Sequence, residues 1–266
     1  IEDFITDQPF TLFPLLLRTE RPDRVVASLL EGQFALVTDG TPFVLTAPAT
    51  AFHMLQAPDD HFEKFPTGSF IRLLRFVAIT MAIFLPGFYV AIINFHQELL
   101  PTDLYLRIAS TREGVPFPVV LELLIMESVF EVLREAGIRL PASIGPAISI
   151  VGALVLGDAA IQAGIVSPPV VIIVALTAIA SFAVPNFALG IASRMIRFVF
   201  IGVGAIFGLF GVQFGLLILL VHLCSLRSFG VPYLTPAAPL VWRDMKDHLI
   251  RLPKWGLVTR PRLTGF

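Results

Sequence analysis

The sequence predicts a mainly α, polytopic helical membrane protein of about four to five hydrophobic helices, with a small α/β N-terminal remnant of a cytoplasmic domain. Three observations predict it. Hydrophobic residues make up 56% of the chain, against about 45–50% in soluble domains, and the mean hydropathy is +0.83. Between Leu140 and Ser193 the only formally charged residue is Asp158, a run far longer than the roughly 20 residues of one spanning helix. Basic residues gather at both flanks of the apolar region: Lys64, Arg72 and Arg75 before it, and Arg227, Arg243, Lys246, Arg251, Lys254, Arg260 and Arg262 after it. The expected division is 1–66 as the end of a cytoplasmic α/β domain, 67–230 as the transmembrane domain, and 231–266 as a basic cytoplasmic tail.

The net charge of −1 gives no electrostatic footprint for nucleic acid. Cys224 is the single cysteine, so neither a disulfide framework nor a thiolate zinc site can be built. The chain opens on Ile1-Glu-Asp-Phe4, which is not a signal-peptide start, and it reads as a fragment beginning inside a longer protein.

In chain order, residues 9–17 read as extended. Residues 19–32 read as a helix with Pro22 in its first turn and Gly32 as its stop. The segments 34–37 and 43–46 flank Asp39-Gly40 as a hairpin, and 49–56 reads as a short helix. About 65 residues with two short strands make a poor independent core.

The first membrane helix is expected over 70–95, kinked at Pro86 and Gly87. Residues 116–137 are ambiguous. They carry Glu122, Glu127, Glu131, Arg134 and Glu135, so this helix either spans with its acids turned to a pore or a partner, or lies amphipathic in the interface. Glu131 is within helical reach of Arg134.

Helices are next expected over 143–164 and 168–190, the second kinked at Pro185-Asn186. A long glycine-rich run follows over 198–226, in which Gly204 and Gly208, and Gly211 and Gly215, form GxxxG pairs. Five crossings would put the basic tail opposite the basic start. An even number is required, so either 116–137 lies in the interface or 198–226 doubles back. Arg227-Ser-Phe-Gly-Val-Pro-Tyr233 is expected at the membrane exit, with Gly230 in a turn, Arg227 among headgroups and Tyr233 in the aromatic belt.

Within 143–164, Gly145, Ser149 and Gly152 share a helical face, and Asp158 and Gln162 lie four apart. Small faces allow close helix approach in lipid, and polar groups at depth face a cavity or a partner. The ion-path candidates are therefore Gly145, Ser149, Gly152, Leu154, Asp158 and Gln162, with Leu154 as an apolar gate. Packing inside one subunit explains the same small residues. Glu122, Glu127, Glu131 and Arg134 are the polar intramembrane candidates. Pro86, Gly87, Pro185, Gly204, Gly208 and Gly230 are the packing and hinge candidates. The five histidines form no metal-binding spacing and Ser228 lies in no nucleophile elbow, so neither a catalytic residue, a metal nor a cofactor is expected.

Read together, Thr19-Glu-Arg-Pro-Asp-Arg24, Asp39-Gly-Thr-Pro42, Arg112-Glu-Gly-Val-Pro-Phe-Pro118, Arg134-Glu-Ala-Gly-Ile-Arg139, Ser149-Ile-Val-Gly-Ala-Leu-Val-Leu-Gly157 and the 227–233 motif carry a resemblance over nearly the whole chain. The sequence resembles the A subunits of GerA-type spore germinant receptors, with the stage V sporulation protein AF branch as a relative. The resemblance implies a multi-pass protein of the spore inner membrane. It implies B and C receptor subunits as partners, homo-oligomerisation in lipid, and a nutrient-gated ion channel that triggers germination. A secondary transporter with broken helices and a non-conducting scaffold for the other subunits are the alternatives.

Overall fold

The computed structural model describes residues 2–57, 60, 62–139, 145–242 and 245. All the Lys and Arg residues of the 231–266 tail lie outside the described residues. The chain is mainly helical and divides into two compact units, 1–79 with 183–192 and 216–266, and 80–182 with 193–215.

The first unit opens with α1 (Glu2–Ile5) and holds an antiparallel sheet of β1 (Leu17–Thr19), β2 (Phe34–Val37) and β3 (Val44–Ala47) in the order β1-β3-β2. The hairpin around Asp39-Gly40 has Phe34 opposite Ala47 and Val37 opposite Val44, with Gly40 at φ +82°. The extended run expected over 9–17 is not a strand; pairing begins only at Leu17, opposite Thr46. Between β1 and β2 lies α2 (Pro22–Leu30), which starts on Pro22 and stops before Gly32 at φ +90°. Thr50 caps α3 (Ala51–Leu55) by accepting from the His53 amide at 3.4 Å.

The 227–233 motif does not lie in an aromatic belt. It forms a two-residue hairpin of β4 (Arg227–Ser228) and β5 (Val231–Pro232) on the N-terminal sheet. Ser228 Oγ donates to the Leu15 carbonyl at 2.6 Å and accepts from the Ala49 amide at 3.0 Å. Phe229 stands edge-on to Phe34 at 4.9 Å. Tyr233 is fully buried, accepts from the Ala51 amide through its carbonyl at 2.9 Å, and has its phenol pushed up by burial.

The short polar bonds of Ser228 outweigh the headgroup affinity that placed the motif in the membrane. Both turn residues have positive φ, Phe229 at 51° and Gly230 at 79°, as a type I′ hairpin requires. Gly230 has open space around its Cβ position, so Gly230→Ala costs only the left-handed strain, roughly 1 kcal/mol. A thermal melt of the full-length protein reads this as a small drop in midpoint, and no drop excludes the turn assignment.

Long helices make up the rest. α4 (Phe65–Phe95) starts five residues earlier than expected and runs through Pro86 without ending. At 31 residues it is about 46 Å long, more than the roughly 30 Å of a hydrocarbon core. Its surplus start belongs to the first unit, where Arg75 grips Asp60 through two bonds of 2.8 and 3.0 Å and donates to the Leu55 carbonyl. Arg72 is fully buried 3.8 Å from the same carboxylate. Burial pushes the Asp60 carboxyl up, but the Arg75 bonds and charge outweigh it and hold the group below its ordinary range. Arg72 and Arg75 are thus buried ion-pair partners of Asp60.

The second unit continues with α5 (Thr102–Ser110), α6 (Val119–Arg139), α7 (Gly145–Gln162), α8 (Pro168–Phe182) and the 193–215 stretch of α9 (Phe187–Ser225). Its core is Val90, Ile93, Val119, Leu123, Met126, Val166, Val170, Val174 and Ile201. Two expectations are corrected. Pro185 does not kink a helix that continues to residue 190; α8 ends at Phe182, and Asn186 caps α9 by accepting from the Leu189 amide at 3.0 Å. The last helix begins at Phe187, not at residue 198, which places Arg194 and Arg197 inside it.

α9 also turns back on itself. Gly208 leaves the helical region at φ 63°, ψ −150°. A Cβ on Gly215 would lie 3.0 Å from the Phe200 ring, and one on Gly211 would lie 2.8 Å from the Val203 carbonyl oxygen. Residues 200 and 215 would be about 22 Å apart in a straight helix. α9 is therefore a helical hairpin of arms 187–207 and 209–225, the first about 31 Å and the second about 25 Å long. The earlier start supplies the length that a hairpin confined to 198–226 lacks.

Candidate functional site

In the second unit two acids of α6 and two arginines of the first arm of α9 meet on one seam. Arg197 Nη1 donates to Glu127 Oε2, and Arg194 Nε donates to Glu131 Oε1 at 2.9 Å. The i, i+4 spacing of the acids matches the i, i+3 spacing of the arginines because the two helices run antiparallel. Glu127 and Arg197 are almost wholly buried, with side chains 4% and 3% exposed.

Arg197 has a second task. Pro86 has no N–H, so the helix leaves the carbonyl four residues before it, that of Ala82, without its backbone donor. Arg197 Nε donates to that oxygen at 2.7 Å. One guanidinium thus ties α4, α6 and α9 together and repairs the backbone at the same point. Glu127 Oε1 and Arg197 Nη2 are buried without a hydrogen-bond partner among the described residues. An imperfectly satisfied pair adds little stability over an apolar pair and fixes register instead.

Glycine makes the close approach possible. A Cβ on Gly87 would sit 2.7 Å from the Phe200 carbonyl oxygen, and one on Gly204 would sit 2.6 Å from the Gly87 carbonyl oxygen. The Phe84 and Phe200 rings meet edge-on at 4.6 Å beside this contact. The GxxxG glycines are used within the chain: Gly204 against α4, Gly208 in the reversal beside Phe95 and His96, and Gly211 and Gly215 between the arms.

A second polar knot holds the start of α6 to the start of α8. Glu122 is fully buried; its Oε2 accepts from the Ser167 amide and hydroxyl at 2.8 and 2.7 Å, and its Oε1 from Arg112 Nη2 at 3.3 Å. A carboxylate there also lies at the favourable end of the α8 dipole. Glu135 takes no part in either cluster and pairs with Arg139 on the surface. Arg134 does not pair with Glu131; its guanidinium lies 4.7 Å over the Phe182 ring.

The ion-path candidates on α7 divide. Gly152 faces Leu133 of α6, so that part of the small-residue face packs within the chain, while Gly157, off that face, meets Val171 of α8. Asp158 and Gln162 are exposed, with Gln162 Nε2 donating to Asp158 Oδ2 at 2.7 Å. Gly145, Ser149 and Leu154 lie on α7, and their side chains are outside the described residues. Among the described residues no cluster of three His, Cys, Asp or Glu side chains could hold a metal.

Sequence reasoning missed Arg112, Ser167, Arg194 and Arg197 as partners of the acids. The available signal was Arg194 and Arg197 at i, i+3, opposite in sign to Glu127 and Glu131 at i, i+4. It is hidden when the arginines are read as helix flanks.

The profile of the Bacillus/Clostridium GerA spore germination protein matches residues 1–263. The chain is 54% identical to spore germination protein KA of Bacillus subtilis over 98% of its length and 48% of that protein. It is 52% identical to the uncharacterized membrane protein YfkQ of the same organism, over 98% of the chain and 51% of the relative. It is 46% identical to spore germination protein GerLA of Bacillus cereus, over 98% and 53%. The chain thus spans about half the length of these relatives. No solved structure matches it.

Proposed function

The chain belongs to the Bacillus/Clostridium GerA spore germination protein family, and from that premise we propose that it is the A subunit of a germinant receptor of the spore inner membrane. A role in spore germination follows from the family itself. The finer reading is that copies of the chain assemble with B and C subunits and that α7 lines a nutrient-gated ion path.

One observation carries it: Asp158 and Gln162 are exposed side by side on a helix that is otherwise apolar and uncharged. A carboxylate and an amide turned to lipid are costly, whereas a water-filled lumen between copies accommodates them. Glu122 and Glu127 of α6 do not compete for that role, because they are buried against Ser167, Arg112 and Arg197.

Helix directions support a topology of six crossings. α4 and the first arm of α9 run parallel, since Ala82 meets Arg197 and Phe95 meets Gly208. α6 runs against that arm, α7 against α6 through Leu133 and Gly152, and α8 against α7 through Gly157 and Val171. The second arm of α9 is the sixth crossing. An even number puts the basic start and the basic end on one side, as the positive-inside rule requires.

The test is potassium release from spores carrying Asp158→Ala in the full-length protein, with its abundance checked. Slowed, altered or spontaneous release at normal abundance is expected. Unchanged release removes α7 from the ion path and favours a non-conducting scaffold.

A further inference from the structure

The charge seam between α6 and α9 does not balance. It holds three guanidinium groups, Arg134, Arg194 and Arg197, and two carboxylates, Glu127 and Glu131. Each carboxylate already accepts from one arginine. Arg134 has no carboxylate within ion-pair distance among the described residues; what it has is the ring of Phe182, 4.7 Å below its guanidinium carbon. Phe182 is 73% exposed on the outside of the unit. An excess cation thus stands half-buried at the edge of an apolar bundle, on an exposed aromatic platform. In a bilayer such a cation needs a counter-charge.

Its position says what can supply it. Within this unit the first arm of α9 runs parallel to α4 and α6 runs against both, so Arg134 lies toward the Ala82 end of the bundle rather than the Phe95 end. Lys64, Arg72 and Arg75 mark that end as the cytoplasmic side. Arg134 is five residues from the last residue of α6, about 7.5 Å along the axis, a depth from which an arginine reaches the headgroup level. Basic sites between helices on this side of a membrane suit anionic phospholipid headgroups, and a planar guanidinium matches a phosphate diester through paired hydrogen bonds.

We propose that Arg134, on the Phe182 ring and beside Arg194, binds the phosphate of an anionic phospholipid in the cytoplasmic leaflet. The lipid completes the charge balance of the seam, and its acyl chains lie along the exposed Phe182.

The test uses the full-length protein reconstituted in vesicles of phosphatidylglycerol and phosphatidylethanolamine, extracted and examined by native mass spectrometry for retained phosphatidylglycerol. Wild type retains it, Arg134→Gln retains about fivefold less, the weight of one charge near an anionic surface, and Arg134→Lys, which keeps the charge but loses the paired bonds, falls between the two. Arg139→Gln has no effect, because Arg139 is an exposed partner of Glu135. A melt of the wild-type protein alone, whose midpoint is higher in phosphatidylglycerol than in phosphatidylcholine vesicles, reports the same contact without any variant. Equal retention by Arg134→Gln overturns the proposal. So does a wild-type protein that holds no phosphatidylglycerol while Arg134→Gln loses its oligomer, since the counter-charge is then a carboxylate of a second copy.

Discussion

Arg197→Ala is expected to destabilise the helical unit by about 3–5 kcal/mol, the cost of removing one partner from a buried ion pair. The substitution strips Glu127 of its donor and the Ala82 carbonyl of the bond that replaces the one lost at Pro86. Neither group can turn to water, because both sit between packed helices. Denaturation of the full-length protein in mixed micelles reads this as a large fall in midpoint, and a change below about 1 kcal/mol, the scale of an exposed pair, would sink the assignment.

Two further variants separate the contributions. Replacing the pair together, Arg197→Met with Glu127→Leu, recovers most of the loss, because an apolar pair of similar size is often as stable as a buried ion pair. About 1–3 kcal/mol stays missing, the cost of the carbonyl left without a donor. Arg197→Lys keeps the charge but cannot send two fixed donors in two directions, so it falls between. The double variant distinguishes a seam that fixes register from one that only adds stability.

Gly204→Val is the second large effect. Its Cβ would stand 2.6 Å from the backbone oxygen of Gly87, where no side chain can move aside. α4 and α9 must separate, and overpacking of this kind costs typically 1–3 kcal/mol, with more where the shift also stretches the Arg197 bond to Ala82. Gly87→Val meets the Phe200 carbonyl oxygen at 2.7 Å and acts on the same contact, so the two losses together fall short of their sum. The internal control is Gly202→Ala, two residues away, where a Cβ meets nothing within 4 Å. That change is neutral or gains up to about 1 kcal/mol in helix propensity. If Gly202→Ala and Gly204→Val behave alike in the same melt, the close approach of α4 and α9 is wrong.

These expectations separate what local patterns can and cannot say. The helix–hairpin layout of the first unit was legible because Pro22, Gly32 and Asp39-Gly40 each act within one turn of themselves. The apolar helices were legible because hydropathy sums over a window and is indifferent to the neighbour. The register of Glu127 and Glu131 on one face was legible for the same reason. Their partners were not: spacing fixes which way a side chain points, and says nothing of which helix stands there. Arg194 and Arg197, 63 and 70 residues away from those acids, read as helix flanks until α9 was found to begin at Phe187. Ser228 was read as part of a membrane exit for a similar reason, since its partners Leu15 and Ala49 lie about 180 to 210 residues upstream, beyond any local rule.

Glycine shows the limit most plainly. Gly204, Gly208 and Gly215 look equivalent in a run of small residues, yet one admits another backbone, one reverses the chain and one receives a phenylalanine ring. Lacking a Cβ, glycine permits all three and specifies none.

The sequence by itself determined the class: a helical membrane protein of the GerA family, its apolar segments, its N-terminal α/β element and the parity problem in its topology. Those follow from composition and from periodicities that repeat within a few residues. Only the tertiary structure decided that α9 folds back at Gly208, that Arg197 serves both Glu127 and the carbonyl freed by Pro86, and that the 227–233 motif closes onto the N-terminal sheet. Each of these depends on which distant segment arrives at a given face, and arrival is fixed by the packing of the whole chain.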